Sequence, residues 1–249
     1  MKTIIQDKLK EIEKQYDIKI LFACESGSRA WGFPSPDSDY DVRFIYVRPL
    51  EHYLSIQKKV DHLSFRIDET WDIYGWDLSK TLQLIGKSNT TPFEWLQSPM
   101  VYMENESFRK ELWNLCQHYF CARSNAHHYL GIAKGATESI ENKNLKIKKL
   151  FYILRPLLSA LWCVERKSIA PMSIFPLLDV TPTCLRLNIL SLIEKKQTVN
   201  ESFIIQIEDS MKLWIDETFE YYIKKSNGLD KEKFDSDLLD SFFRKTIMK

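Results

Sequence analysis

The sequence predicts an α+β protein: a small mixed-sheet domain over residues 1–102, followed by a helical domain over 103–249. Three observations carry this. Short apolar runs with partial alternation crowd the first hundred residues, as strands do. From about residue 105 onward, helical periodicity runs almost without interruption. The 249 residues are 44% hydrophobic and 28% charged with only 7 Gly and 9 Pro, enough apolar material for a proper core and no bias toward disorder or fibre.

In chain order, "IIQDKLKEIEKQY" has apolar residues at helical spacing, and "IKILFACESG" reads as a buried strand ending in a small-residue turn. "YDVRFIYV" is a second strand, closed by Pro49; "HLSFRID" and "ETWDIYGWDL" are weaker strands. "DLSKTLQLIGKS" is a helix with Asp77 as N-cap and Gly86 near its end. "NTTPFEWLQSP" is a short helix bracketed by prolines, with Trp95 and Leu96 as core residues. "ESFRKELWNLCQHYFCARSNAHHYLGIAKG" is one helix with a break or two consecutive ones. "NLKIKKLFYILRPLLSALWCVERKS" is apolar on most sides, which predicts a central helix kinked at Pro156. "CLRLNILSLIEKK" and "NESFIIQIEDSMKLWIDETFEYYIKKS" predict further helices, followed by a polar C-terminal "DSDLLDSFFRKTIMK".

The net charge of +1 argues against a broad basic surface, so any polyanion contact must come from a local patch. Cysteines 24, 116, 121, 163 and 184 are odd in number and show no CxxC or Cys/His ligand spacing, which favours reduced thiols over disulfides or zinc. "MKTIIQDKLKEIEKQ" has no apolar block of signal length, and no window is apolar enough to span a bilayer. The expectation is a soluble, cytoplasmic protein with no membrane partner.

The stretch "ESGSRAWGFPSPDSDYDVRF" (25–44) is the most informative. If residues 39–47 are extended, Asp39 and Asp41 point to one sheet face, about 7 Å apart at the Cα level. Two carboxylates there suit a divalent cation, and magnesium binds such pairs together with substrate phosphates. The "SGSR" turn upstream can present backbone N–H groups and Ser hydroxyls to phosphate. An EF-hand is excluded, because counting from Asp37 its Gly and Glu positions hold Val42 and Arg48. A Walker A loop is excluded by the lack of Gly-Lys-Ser/Thr. A hydrophilic turn between strands accounts for a lone Asp-x-Asp; the Gly-Ser turn at this distance points instead to phosphoryl or nucleotidyl transfer.

"GSRAWG…DSDYDVRFIY" resembles the signature of the DNA polymerase β-type nucleotidyltransferase superfamily: Gly-Ser, a spacer of about ten, then Asp-x-Asp in a strand. "DIYGWDLSKTLQLIGKSN", "FEWLQSPMVY" and "KKLFYILRPLLSALW" are similar to bacterial nucleotidyltransferases of an RNA-repair-pathway polymerase β family, so the similarity covers most of the first 180 residues. The resemblance implies a palm-like nucleotidyltransferase domain in which Gly27 and Ser28 touch the triphosphate and Asp39 and Asp41 bind metal. It also implies a third carboxylate on a later neighbouring strand; Asp72 is the choice, with Asp68 and Asp77 as competitors. The implied cofactor is Mg²⁺ (or Mn²⁺), two ions with nucleotide bound.

The resemblance further implies phosphate contacts for Lys149 and Tyr152. Arg29 suits a phosphate contact or neutralisation of the nearby acids, and Arg43 a phosphate contact or an ion pair with an aspartate. Ser124 is a further candidate phosphate ligand, His127 and His128 read as surface, and Trp31 reads as packing beneath the turn. The implied reaction moves a nucleoside monophosphate from NTP to a hydroxyl, with release of pyrophosphate. The acceptor is an RNA end, a protein side chain or a small molecule. The competing readings are a catalytically silent nucleotide-binding or toxin-neutralising module and a protein-nucleotidylating enzyme. Basic clusters in "ENKNLKIKKL" and "EYYIKKS" suit solvated helix faces or an RNA backbone.

Overall fold

The computed structural model describes residues 1–57, 59–66, 70–137 and 144–248. Asp68 and part of the "ENKNLKIKKL" cluster lie outside the described residues. The chain forms two compact units. The first gathers Met1–Gly27, Asp39–Tyr119 and Lys233–Lys249; the second gathers Ser28–Ser38 and Phe120–Glu232.

The first unit opens with helix α1 (Lys2–Tyr16), which buries Ile5, Leu9 and Ile12 on one face. It ends at Asp17, whose left-handed φ of 48° lets its N–H bond the Glu13 carbonyl. Strand β1 (Lys19–Glu25) follows, and the five-residue helix α2 (Gly27–Trp31) starts in this unit and continues into the second. Then come β2 (Tyr40–Val47), the single turn α3 (Leu50–Tyr53), β3 (His62–Arg66), β4 (Trp71–Asp77), and helices α4 (Leu78–Gly86) and α5 (Thr90–Trp95). Strand β5 (Val101–Glu104) and helix α6 (Glu106–His118) complete this stretch.

The five strands form one mixed sheet in the order β3-β4-β2-β1-β5. Only β2 and β4 run parallel; the other neighbours are antiparallel. The α+β class is therefore as the sequence predicts. β5 is a strand the apolar pattern does not announce, because four residues beside β1 are too few to show alternation. The core of this unit joins Ile5, Leu9 and Ile12 to Ala23, Val42, Phe44, Tyr46 and Ile73 from the sheet.

In the second unit α7 (Ala122–Thr137) begins just after α6 ends, so the stretch forms two consecutive helices, one of the two arrangements the sequence allows. The short strand β6 (Asn144–Lys146) leads into α8 (Ile147–Arg166), and α9 (Ile174–Leu177) and α10 (Thr183–Lys196) follow. Strand β7 (Ile204–Gln206) and helix α11 (Asp209–Asn227) close the unit. α8 continues unbroken past Pro156 and buries fourteen of its twenty residues, which makes it the central element expected of it. β6 and β7 pair antiparallel, where helix was expected. "NESFIIQIE" satisfies helical spacing, but its β-branched run suits a strand as well, and pairing with Asn144–Lys146 decides the outcome.

The C-terminal "polar" segment is helix α12 (Asp237–Ile247), which returns to the first unit. It buries Leu239 and Phe242, the latter against Phe108 with ring centroids 5.7 Å apart. Among the described residues, no helix is long and apolar enough to cross a membrane.

Candidate active site

Alternation along β2 sends Asp41 and Arg43 to one face. The parallel register sets Asp41 directly beside Asp72 of β4. Arg43 joins them: its Nη2 lies 2.7 Å from Asp41 Oδ1 and 2.7 Å from Asp72 Oδ2. Its Nη1 donates to the Asp72 carbonyl at 2.8 Å. Two carboxylates side by side repel, and in a half-buried setting a cation between them is what makes the arrangement tenable.

The backbone at Asp41 is held from below. The fully buried Glu25 carboxylate accepts the Asp41 N–H at 2.9 Å and the Tyr102 hydroxyl. Burial, reinforced by the Glu25 charge, pushes the Tyr102 phenol far above its ordinary range, so it stays a donor. Ser26 N–H donates to the Asp41 carbonyl at 2.8 Å. Gly27, at φ 60°, faces the Asp41 side chain so closely that a β-carbon there would stand 1.8 Å from Oδ2. Only glycine fits this place.

Asp39 precedes the first residue of β2 and is half-buried. Among the described residues, no three His, Cys, Asp or Glu side chains are grouped as ready-made metal ligands. Asp77 is the N-cap of α4: Oδ1 accepts the Ser79 N–H at 2.8 Å and Ser79 Oγ at 2.6 Å, while Oδ2 accepts the Tyr53 hydroxyl at 2.9 Å. Its side chain is occupied in capping.

The remaining candidates belong to the second unit. Ser28 Oγ and Arg29 Nη2 both meet Ser38, at 2.9 Å to its hydroxyl and 2.6 Å to its carbonyl. On α8 Lys149 is exposed, and Tyr152 sets its ring edge against Trp31 at 5.7 Å. Arg155 is buried, donates twice to the Met172 carbonyl, and stacks its guanidinium 4.5 Å from the Trp31 ring centre. Trp31 thus packs, as the sequence suggests, and also contacts Phe33 at 5.9 Å. Ser124, on α7, bonds Cys121 Sγ at 3.3 Å.

Sequence reasoning passed over a second charged cluster. It is Lys148 rather than Lys149 that is engaged there, paired with Glu201. Glu201 Oε1 also receives Ser38 Oγ at 2.8 Å. Lys196, only 1% exposed, donates to Ser35 Oγ at 2.9 Å and lies 3.9 Å from Glu201 Oε1. Burial holds the Lys196 ammonium below its usual pKa, and Glu201 opposes that shift. A lysine on the buried stripe of α10, with Leu185, Ile189 and Ile193, is the signal that would have found it.

Compared with known families, residues 1–245 match the RNA repair pathway DNA polymerase beta family, RlaP. The chain belongs to this family. RlaP is of the polymerase beta nucleotidyltransferase type, and the match extends through both compact units rather than stopping at the Gly-Ser and Asp-x-Asp signature. Within Bacillus subtilis (strain 168), the "Uncharacterized protein YcgL" is 39% identical over 238 residues, which cover 94% of this chain and 92% of that relative.

Proposed function

We propose that this RlaP protein transfers a nucleoside monophosphate from an NTP to a hydroxyl, releasing pyrophosphate, with an RNA end as acceptor. One observation supports the chemistry most: Asp41 and Asp72 stand in register on adjacent parallel strands, with Gly27 against Asp41. The acceptor is taken from the family description alone.

The donor set fits magnesium or manganese. Asp41 and Asp72 offer a pair of hard carboxylate oxygens, the Arg43 cation they share supports positive charge between them, and Asp39 is proposed as a further ligand. In this reading Asp39, Asp41 and Asp72 hold two ions when nucleotide is bound. Such ions would neutralise phosphate charge and acidify the acceptor hydroxyl.

The chain's own groups do the rest. Gly27, whose bare face is covered by Asp41, would meet the nucleotide phosphates through its backbone N–H, with Ser28 and Arg29 as their neighbours. Glu25 and Tyr102 keep the Asp41 backbone from shifting. Arg43 would turn from the carboxylates toward phosphate once they have another cation. Asp72 would take the acceptor proton. Lys149, Tyr152 and Ser124 are proposed as outer phosphate contacts. Most of the contribution is position and charge.

The test is incubation with Mg²⁺ and labelled NTPs alone, with RNA, and with protein extract. Pyrophosphate release with label on the RNA 3′ end is expected, and should be abolished in Asp39→Asn and Asp41→Asn proteins that remain folded. Label on protein would move the acceptor to a side chain. Tight NTP binding without pyrophosphate in any mixture would make the protein a silent nucleotide-binding module.

A further inference from the structure

The segment Ser28–Ser38 joins the Gly-Ser turn to the acidic strand, and its hydrogen bonds have a definite direction. Ser38 Oγ has three partners: the Ser35 N–H at 3.0 Å, Ser28 Oγ at 2.9 Å and Glu201 Oε1 at 2.8 Å. A hydroxyl offers one proton and two lone pairs. The amide only donates, so it takes a lone pair. The ionised carboxylate only accepts, so it takes the proton. What remains for Ser28 is the second lone pair, so the single proton of Ser28 is aimed at Ser38. Ser28 therefore shows other ligands lone pairs alone, the wrong polarity for a phosphate oxygen.

Glu201 is fixed in this role from several sides. Lys148 pairs with Oε2, and Lys196 approaches Oε1 from the buried end of α10. The Glu201 N–H donates to Asp37 Oδ1 at 3.0 Å, tying the carboxylate's backbone to the same segment. Phe33, stacked on Phe151 at 4.6 Å, anchors that segment in the core.

We propose that Glu201 is a positioning residue for phosphate recognition: acting through Ser38, it turns the Ser28 hydroxyl away, so that a bound triphosphate must reverse this relay to receive a hydrogen bond from Ser28. The inference rests on the proposed nucleotide-binding role of Ser28.

Glu201→Gln tests it sharply. Lys148, in direct contact at 2.5 Å, demands an oxygen more strongly than Lys196, 3.9 Å from the other position, so the amide oxygen goes to Lys148 and the amide nitrogen faces Ser38. That nitrogen donates, Ser38 must then donate to Ser28, and the Ser28 proton is released toward the ligand. The hydrogen-bond count is unchanged and only the direction is reversed.

Binding of inorganic tripolyphosphate in Mg²⁺ would be measured by calorimetry, with a thermal melt on each variant to establish folding. Glu201→Gln should bind about fivefold tighter, roughly the worth of one ordinary hydrogen bond. Ser38→Ala also frees the Ser28 proton and should move affinity the same way, with Glu201→Gln adding nothing in that background. A gain caused merely by the lost negative charge would survive Ser28→Ala and so overturn the relay; a gain through the relay disappears with it. If Glu201→Gln does not fold, Ser38→Ala decides the matter. Unchanged or weaker binding in the folded variants overturns the relay, while the enzymatic reading stands or falls separately, on pyrophosphate release. Failure of wild type and variants alike to bind tripolyphosphate overturns both the relay and the phosphate role of Ser28.

Discussion

Gly27 and Asp41 meet so closely that no side chain can stand between them: a β-carbon on Gly27 would lie 1.8 Å from an Asp41 carboxylate oxygen. The turn and the acidic strand are thus one sterically coupled unit. Gly27→Ala must displace Asp41 and also hold an L-residue at φ 60°, which costs about 1 kcal/mol. The expected result is a melting temperature lowered by a few degrees and pyrophosphate release reduced about 10²-fold, the effect of an ångström-scale misplacement.

Arg43 is the counter-cation of Asp41 and Asp72. Arg43→Gln leaves two adjacent carboxylates without it. Because Asp72 is 46% exposed, solvent screens part of the effect, and the loss of stability should be about 1–2 kcal/mol. Added Mg²⁺ should restore part of the lost melting temperature in this variant, since an ion bound only by the folded state stabilises it. Thermal melts across a Mg²⁺ series check this; a variant indifferent to Mg²⁺ would count against metal binding at Asp41 and Asp72.

Asp72 and Asp77 separate by opposite responses. Asp77→Ala removes the α4 cap and strands the Tyr53 hydroxyl, costing about 1–3 kcal/mol, with turnover per folded molecule retained. Asp72→Asn should remove turnover with little change in melting. Parallel melts and pyrophosphate assays on the two variants would show whether the third carboxylate has been rightly assigned.

Stability should fall in acid through Glu165. Its carboxylate accepts from Lys225 Nζ and the Tyr222 hydroxyl, both at 2.6 Å, which fastens α8 to α11. The lysine bond first, and then the tyrosine bond, hold the Glu165 pKa below its ordinary value of 4.5, and the Lys225 pKa is raised. A carboxylate with a depressed folded pKa contributes fully above 4.5 and loses that contribution as pH falls through the depressed value. The groups are partly exposed, so the effect is under about 1 kcal/mol. Glu165→Gln should flatten this part of a stability profile taken between about pH 6 and 3.

Much of the local structure was legible in the chain. The stripe Ile5, Leu9, Ile12, the N-cap at Asp77 and the buried run of α8 all follow from neighbouring residues and their spacing. Arg43 was equally open to a phosphate and an aspartate, because a strand's alternation tells which face it shares but not what lies on the next strand. Lys148 and Lys149 were indistinguishable on the basis of charge; only the position of Glu201 selects Lys148. Lys196 was not singled out, although it continues the stripe Leu185, Ile189, Ile193. The three-residue strands β6 and β7 were invisible, since each is stable only against the other.

By itself, the sequence determined the Gly-Ser turn, the acidic start of β2 and the alternation of strands with helices, because dihedral preferences and hydrophobic period are properties of adjacent residues. Tertiary structure alone decided that Asp72 stands beside Asp41, that α12 returns to the first unit, and that Glu201 reaches Ser38 across 163 positions of chain. Those pairings arise from burial and hydrogen bonding summed over whole elements, and no short window of residues contains that sum.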